Sequence, residues 1–425
     1  MSAPTVRLDE GGVTARGKII PLLWVIGVGC LVRVLMVMAS PDHGRLKPLE
    51  PSVIAANLNA GRGLTFEQYG TVYRAWKEPL YIVLLAWLTR WAGNDPMAVL
   101  VFQGMFGVLA AVGVALIAWA VLGDATRATL AGVMAAANPF LVYYDTRWIH
   151  PLSMDACLFV AMIGTILIAA RPGARGRQTL AAGLVMGLTL WQRAVFLASG
   201  AGSWLAAVVC TTRSRRRSVA LAAAGWLGIA MLAISPWLVR NYTLFGRLIL
   251  TTDAAHILWL GNNPWSNGTY SDMKGERVFF LADAAFRDRV MAAPELVQHD
   301  LFLGEVRRFI IEHPAQFGAL ALRRLVAFVW FSPNAGIRYT RGQNVIYRLA
   351  YLGLLSFGVS GLILSWRRMG PDERRALMVL IAAVAGLAVA HALSAINMKH
   401  RVPLELVLAI FASESLARGA AGVRG

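Results

Sequence analysis

Apolar residues in this chain do not alternate with polar ones as in a half-buried strand. They gather in blocks of about 20, long enough as helices to cross about 30 Å of hydrocarbon. The blocks are 19–40, 97–122, 127–144, 150–170, 178–210, 219–239, 345–366, 376–394 and 402–417. The block at 178–210 has room for two short spans around Trp191-Gln192-Arg193, so the pattern predicts about ten crossings. The first block is too long for a removable signal peptide and lacks a small-residue cleavage site, although Arg7, Arg16 and Lys18 ahead of it form a basic flank. It is expected to be a retained first helix.

Two polar intervals, 41–96 and 240–316, are too long to be simple connectors. Both carry aromatic residues. The second adds turn signals at Gly261-Asn262-Asn263-Pro264 and Asn267-Gly268, and a helical stretch at 298–311, so both are expected to be ordered. The segments 79–93 and 315–333 are apolar but short, and they carry Arg90 and Arg323-Arg324. Crossings there would move every Arg-rich loop between them outside. Both are therefore expected to be interfacial or re-entrant helices with snorkelling Arg heads. No internal repeat is visible. The expected architecture is one all-α polytopic membrane domain over 1–425, in which 41–96 and 240–333 build an ordered cap on the outer face.

Composition agrees: 57% of the 425 residues are hydrophobic and 15% charged, which excludes an ordinary water-soluble domain. The net charge of +18 could suggest nucleic acid, but the Arg residues sit in short loops between apolar blocks rather than on one basic face. They report orientation instead. The stretches RPGARGRQ at 171–178, RSRRRS at 213–218 and RRMGPDERR at 367–375, with residues 1–18 and Arg127, are expected in the cytoplasm. Both termini then lie inside, and 41–96, 145–149, 240–316, 333–344 and 395–401 lie outside. Cys30, Cys157 and Cys210 fall in or at the ends of spans and read as packing residues. No metal-ligand spacing, phosphate-cradling Gly loop, GxSxG elbow or nucleotide fingerprint is present, so no nucleotide cofactor is expected.

Four groups of residues could carry chemistry. Glu50 opens a short helical run, with Pro51 suited to the first turn and Gly61 to the stop; it is either a solvated helix-start carboxylate or a functional one. Arg33, Asp155, Arg193 and His391 lie in or at the edge of spans, where a charge is costly; they either line an outward-facing cavity or pair internally. Beyond the block at 219–239 come Trp237, Arg240 and the amides of Asn262 and Asn263, groups that suit a phosphate and a sugar. Lys399, His400 and Arg401 put positive charge on the expected outer side, against the orientation rule, which points to a function there.

The run EPSVIAANLNAGRGLTF from Glu50, then AWKEPLYIVLLAWL, PWLVRNYTLFG with LWLGNNPWSNG, and KHRVPLELVLAI resemble, in that order and over nearly the whole chain, the bacterial polyprenyl-phosphate-sugar-dependent glycosyltransferases. These GT-C type membrane enzymes include the protein O-mannosyltransferases, the aminoarabinose transferases of lipid A and lipopolysaccharide-core sugar transferases. The resemblance implies a GT-C bundle and an inverting transfer of sugar from a polyprenyl-phosphate donor to a lipid, glycan or protein acceptor, at the outer face of a bacterial inner membrane. It makes Glu50 the catalytic base, with Asp42, Glu67 and Glu78 as competitors. Lys77, Arg240, Asn262, Asn263, His400 and Arg401 are then expected on the donor's phosphate and sugar, and Arg33, Arg74, Glu78, Tyr81, Asp155 and Arg193 around the cavity. The chain departs from the family at Glu78, where a Pro is common, at His400, where a Tyr is common, and at Leu49-Glu50, where protein mannosyltransferases carry an Asp-Glu pair. A transporter or flippase of a lipid-linked sugar would share the many spans and the basic site. The large one-sided loops and the absence of repeats argue against it.

Overall fold

The computed structural model describes residues 15–40, 46–93, 95–271, 276–331 and 340–422. Helix α1 (Ala15–Met38) leads to the short α2 (Glu50–Asn59), a hairpin of β1 (Phe66–Gln68) and β2 (Thr71–Tyr73), and α3 (Leu80–Ala92). There follow α4 (Pro96–Leu122), α5 (Ala125–Ala136), α6 (Pro139–Arg147), α7 (Leu152–Ala169), α8 (Gly176–Gln192), α9 (Phe196–Val209) and α10 (Arg213–Phe245). The second long interval holds α11 (Asp253–Gly261), α12 (Val278–Leu281), α13 (Ala284–Met291), α14 (Glu295–Glu312) and α15 (Pro314–Val329). Helices α16 (Arg341–Arg368) and α17 (Pro371–Leu393), a 3-10 turn (Met398–Arg401) and α18 (Val402–Gly422) complete the chain.

Every apolar block of the sequence is helical, and the chain is a multi-pass membrane protein. By length and composition six of the described helices can cross a bilayer: α1, α4, α7, α10, α16 and α17. The other expected crossings are interrupted or carry charge. The block at 127–144 breaks at Asn138-Pro139, because Pro139 has no N–H to continue α5 and Asn138 caps α6 by accepting from the Leu141 N–H at 3.1 Å. The block at 178–210 divides where Arg193 adopts an extended conformation between α8 and α9. Helix α18 carries Glu405, Glu414 and Arg418. Helices α3 and α15 are about 20 and 24 Å long, shorter than the hydrocarbon core.

Lipid tails are as apolar as leucine, so helices in a membrane associate by close packing rather than by escape from water. Small residues provide it. Gly183 and Gly187 of α8 let α10 approach, and a Cβ on Gly361 of α16 would stand 1.8 Å from the Phe411 carbonyl oxygen of α18. Large apolar side chains such as Trp24, Leu232 and Leu349 face outward. Charges inside the bundle are paired. Arg33 donates through Nε to Asp145 Oδ2 at 2.8 Å, and Ser153 also donates to that carboxylate. The pair fits because Gly104 and Gly107 of α4 have no side chain in its path. Glu405 accepts from the Tyr347 hydroxyl and the Asn138 amide, each at 2.6 Å.

The two long intervals pack on each other. The hairpin turns through Tyr69 and Gly70, both with positive φ, which is the two-residue turn that matches strand twist. Glu295 at the start of α14 ties the strand end down: its carboxylate accepts from the N–H groups of Arg74 at 2.7 Å and Ala75 at 3.0 Å and from the Thr252 hydroxyl at 2.7 Å. Tyr69, Trp76, His256, Phe279 and Phe302 form the aromatic core between them. The expected helix at 298–311 lies within α14.

Candidate active site

Three connections bring chemistry together where these intervals meet the helix ends. Pro51 fixes the first turn of α2 and leaves Glu50 as its first residue, with a side chain 41% exposed. The β2–α3 connection presents Lys77, whose Nζ lies 3.6 Å from Glu50 Oε2 and donates to Asp253, the first residue of α11. Burial alone would push the Lys77 ammonium down, but the Asp253 and Glu50 carboxylates outweigh it and hold it above the usual lysine range. Burial would likewise lift the Asp253 carboxyl, and Lys77, helped by His256, holds it below the usual carboxylate range instead. Lys77 is therefore a cation and Asp253 an anion. His256 Nδ1 lies 3.4 Å from the second Asp253 oxygen, and its Nε2 lies 3.2 Å from the Tyr69 hydroxyl, which fixes Asp253 from behind.

The break between α8 and α9 supplies a second cation. Arg193 grips Asp155 of α7 through Nε at 3.0 Å and Nη2 at 2.5 Å, while Gln192 donates to the other Asp155 oxygen at 2.6 Å. Of the two readings left open by the sequence, the paired one describes Asp155 and Arg193, and the Arg193 side chain keeps 29% of its surface exposed. Glu78 accepts from the Ala194 N–H at 3.0 Å and anchors this break to the Lys77 segment. The 3-10 turn brings Lys399, with Nζ 3.0 Å from His150 Nε2, and His400, stacked on His391 at 4.2 Å between ring centroids. Lys399 lies within electrostatic reach of Arg193, Lys77, Glu50 and Asp155, and the Tyr270 hydroxyl within reach of Lys77, Asp253, Arg193 and Glu50. These groups form one charged cluster.

Several expected residues lie elsewhere. Arg401 is 1% exposed; it donates to the Tyr347 hydroxyl and, at 2.9 Å, to the Trp330 carbonyl, with Tyr351 stacked 4.0 Å away. Its charge locks the 3-10 turn to α15 and α16 and does not face the site. Asn262 and Asn263 are buried and spend their amides on backbone: Asn262 on the carbonyls of Leu258 and Leu393, Asn263 on that of Trp259. Arg324 fills the remaining Asn262 oxygen. Asn262 joins the second interval to α17 and Asn263 closes the end of α11, rather than presenting donors to a sugar. Arg33 is sealed in the bundle on Asp145, and Tyr81 is buried with its hydroxyl on Gln103 at 2.5 Å; neither lines the site. Arg240 lies over Trp237 and donates to the carbonyl of the exposed Arg74 at 2.9 Å, at the edge of the assembly. Glu67 is exposed on the hairpin, and Asp42 falls outside the described residues. Asp253, Tyr270 and His150 were not foreseen. Nothing in TTDAAH or RWIHP marks them, whereas Lys399 is marked in the sequence by the KHR cluster it shares with Arg401. Among the described residues no group of His, Cys, Asp and Glu is arranged to hold a metal ion.

No model of a known family matches the sequence, and no curated protein matches it. Solved structures do. The apo oligosaccharyltransferase of Archaeoglobus fulgidus superposes on 98% of this chain with a TM-score of 0.56 at 15% identity. The chain spans about half of that protein, 53% of its length. ArnT from Cupriavidus metallidurans, in the structure bound to undecaprenyl phosphate, matches 96% of this chain and 79% of its own at 14% identity and a TM-score of 0.45. At these identities the likeness concerns architecture: in fold the chain is similar to the GT-C type membrane glycosyltransferases.

Proposed function

We propose that the chain is an inverting glycosyltransferase that takes a sugar from a polyprenyl-phosphate donor, entering laterally from the lipid, and passes it to a hydroxyl of a lipid, glycan or protein acceptor. The observation that carries this is a half-exposed carboxylate, Glu50, held beside Lys77 at a helix start where the interval segments meet the membrane helices. Of the acidic groups at the site, Asp253 is spent on Lys77, Asp155 on Arg193 and Gln192, and Glu78 on the Ala194 N–H. Glu50 makes one long contact, to Lys77 at 3.6 Å, so its oxygens keep lone pairs to offer a substrate, whereas Glu78 has one oxygen held at 3.0 Å by the Ala194 N–H.

The acceptor oxygen attacks the anomeric carbon from the face opposite the phosphate, and Glu50 takes its proton. The bond between anomeric carbon and phosphate oxygen breaks, and its electron pair leaves with the polyprenyl phosphate, which gains one negative charge. Lys77 and Arg193 are the fixed cations that meet this charge. Asp253 and Asp155 hold them in place in advance, so little reorganisation is needed as the charge develops. A lipid-borne donor is activated before it reaches the site, which accounts for a sequence without nucleotide motifs. The positive-inside pattern supports an outer-face location for this chemistry, and the sequence resemblance supports a bacterial inner membrane. The test is sugar transfer in proteoliposomes from a radiolabelled polyprenyl-phosphate sugar. Release or transfer of label without a second compartment supports the enzyme. Label that only changes sides identifies a transporter and overturns the proposal.

A further inference from the structure

Lys399 and His150 meet in a way that fixes where protons are. The Leu152 N–H at the start of α7 has no earlier turn to bond to, and it donates to His150 Nδ1 at 3.0 Å. A backbone N–H can only donate, so Nδ1 is an acceptor and the hydrogen of the neutral ring sits on Nε2. That Nε2–H points at Lys399 Nζ, 3.0 Å away. An ammonium has three hydrogens and no lone pair, so two donors would face each other there; only an uncharged amine can accept.

We propose that in alkaline solution Lys399 stands as a neutral amine until the donor binds, and then takes up a proton to become a third cation on the donor's phosphate. The inference rests on the glycosyltransferase reading above. The groups that face Lys399 are His150 from the α6–α7 connection, Arg193 from the α8–α9 break, Lys77 from the β2–α3 connection, Glu50 from α2, Asp155 from α7 and the neighbouring His400. Burial, then Arg193 and Lys77, push the Lys399 amine down to about 8. Burial holds His150 and His400 well below the usual histidine range, so neither ring relieves Lys399 by charging. An arriving phosphodiester adds one negative charge, which favours the ammonium. A protonated Lys399 turns away from the His150 Nε2–H and toward the phosphate oxygens. When the glycosidic bond breaks, the same ammonium faces the charge that appears on the leaving phosphate.

The chain has five lysines, so side-chain nitrogen NMR on lysine-labelled protein in nanodiscs gives a sparse spectrum, and Lys399→Arg assigns the signal. Without donor, Lys399 is expected to titrate near 8, and His150→Gln, which offers a carbonyl oxygen to the ammonium, should raise that value. Titration at the ordinary lysine value of about 10.4, or no response to His150→Gln, overturns the proposal. The ligand arm uses farnesyl methyl phosphate, a diester whose single charge is constant over the range tested. Calorimetry at about pH 9 in two buffers of different ionisation enthalpy should show uptake of nearly one proton by the wild type and none by Lys399→Arg, with affinity falling about tenfold per pH unit above the free-amine value. Binding that is weakened by Lys77→Met but takes up no proton defeats this inference alone. A probe that does not bind at all defeats the donor reading, and the proton coupling falls with it.

Discussion

Replacing Glu50 by Gln removes one negative charge and one proton-accepting oxygen while keeping size and polarity. Its structural price is small. The side chain is 41% exposed and its one ion-pair contact, to Lys77, is 3.6 Å long, while Lys77 retains Asp253. Exposed pairs of this kind contribute about 0–1 kcal/mol, so the variant should fold and bind donor nearly as the wild type does. Its catalytic effect should be far larger. Loss of a general base costs about 10²–10⁴-fold in turnover, equivalent to about 3–5 kcal/mol of transition-state stabilisation. The comparison variant is Glu78→Gln: Glu78 accepts from the Ala194 N–H at 3.0 Å, and the Gln carbonyl can do the same, so turnover should change little. The assay is sugar transfer in proteoliposomes, with donor binding and thermal unfolding measured on the same preparations. Near-normal turnover in Glu50→Gln together with a collapse in Glu78→Gln would refute the assignment and move the base to the second position.

Three further outcomes follow from the geometry. In Gly107→Ala the new Cβ would lie 2.0 Å from Arg33 Nη2 and 2.6 Å from Asp145 Oδ2, so the buried pair must part, and thermal unfolding in detergent should show a loss of about 3–5 kcal/mol; Gly104→Ala, 3.2 Å from Arg33 Cδ, should cost much less. Asp253→Asn should lower stability by about 1.5–3 kcal/mol. The Asp253 value is depressed, so its contribution is present above the unfolded carboxylate value of about 3.9 and is lost only as pH falls through the lower folded value. The Lys77 value is raised, so its contribution is present below about 10.4 and is lost only as pH rises through the higher folded value. The stability difference between wild type and Asp253→Asn should therefore be flat from about pH 5 to 9, and a slope there would show that the pair is not ionised as described. For orientation, single cysteines at the exposed positions Ser214 and Ala292, in a background lacking Cys30, Cys157 and Cys210, should react with an impermeant reagent in spheroplasts at 292 and not at 214; the reverse pattern would put the chemistry on the cytoplasmic side.

What the sequence determined by itself is what depends on one residue and its near neighbours. A block of about 20 apolar residues must be helical in lipid, because only internal hydrogen bonds can satisfy its backbone there, and all of the predicted blocks are helices. Glu50 at a helix start, the helix within 298–311 and the division of 178–210 near Arg193 are local in the same way, set by Pro51, by turn residues and by a charge inside an apolar run. Which charged residues face one another is not local. Lys77 meets Asp253 across 176 positions, Arg193 meets Asp155 across 38, and Lys399 meets His150 across 249. Arg401 and Lys399 are two residues apart in the same basic cluster, yet the short 3-10 turn sends Arg401 into the bundle among Tyr347, Tyr351 and Trp330 and leaves Lys399 beside the site. Asn262 and Asn263 look like ligands in a turn rich in amides, but α11 ends against α17, where the Leu393 carbonyl claims the Asn262 side chain, and the Trp259 carbonyl of α11 itself claims that of Asn263. In a low-dielectric interior an unpaired charge or amide costs several kcal/mol, so the tertiary packing first decides which polar groups must satisfy one another, and only the remainder is left for a substrate.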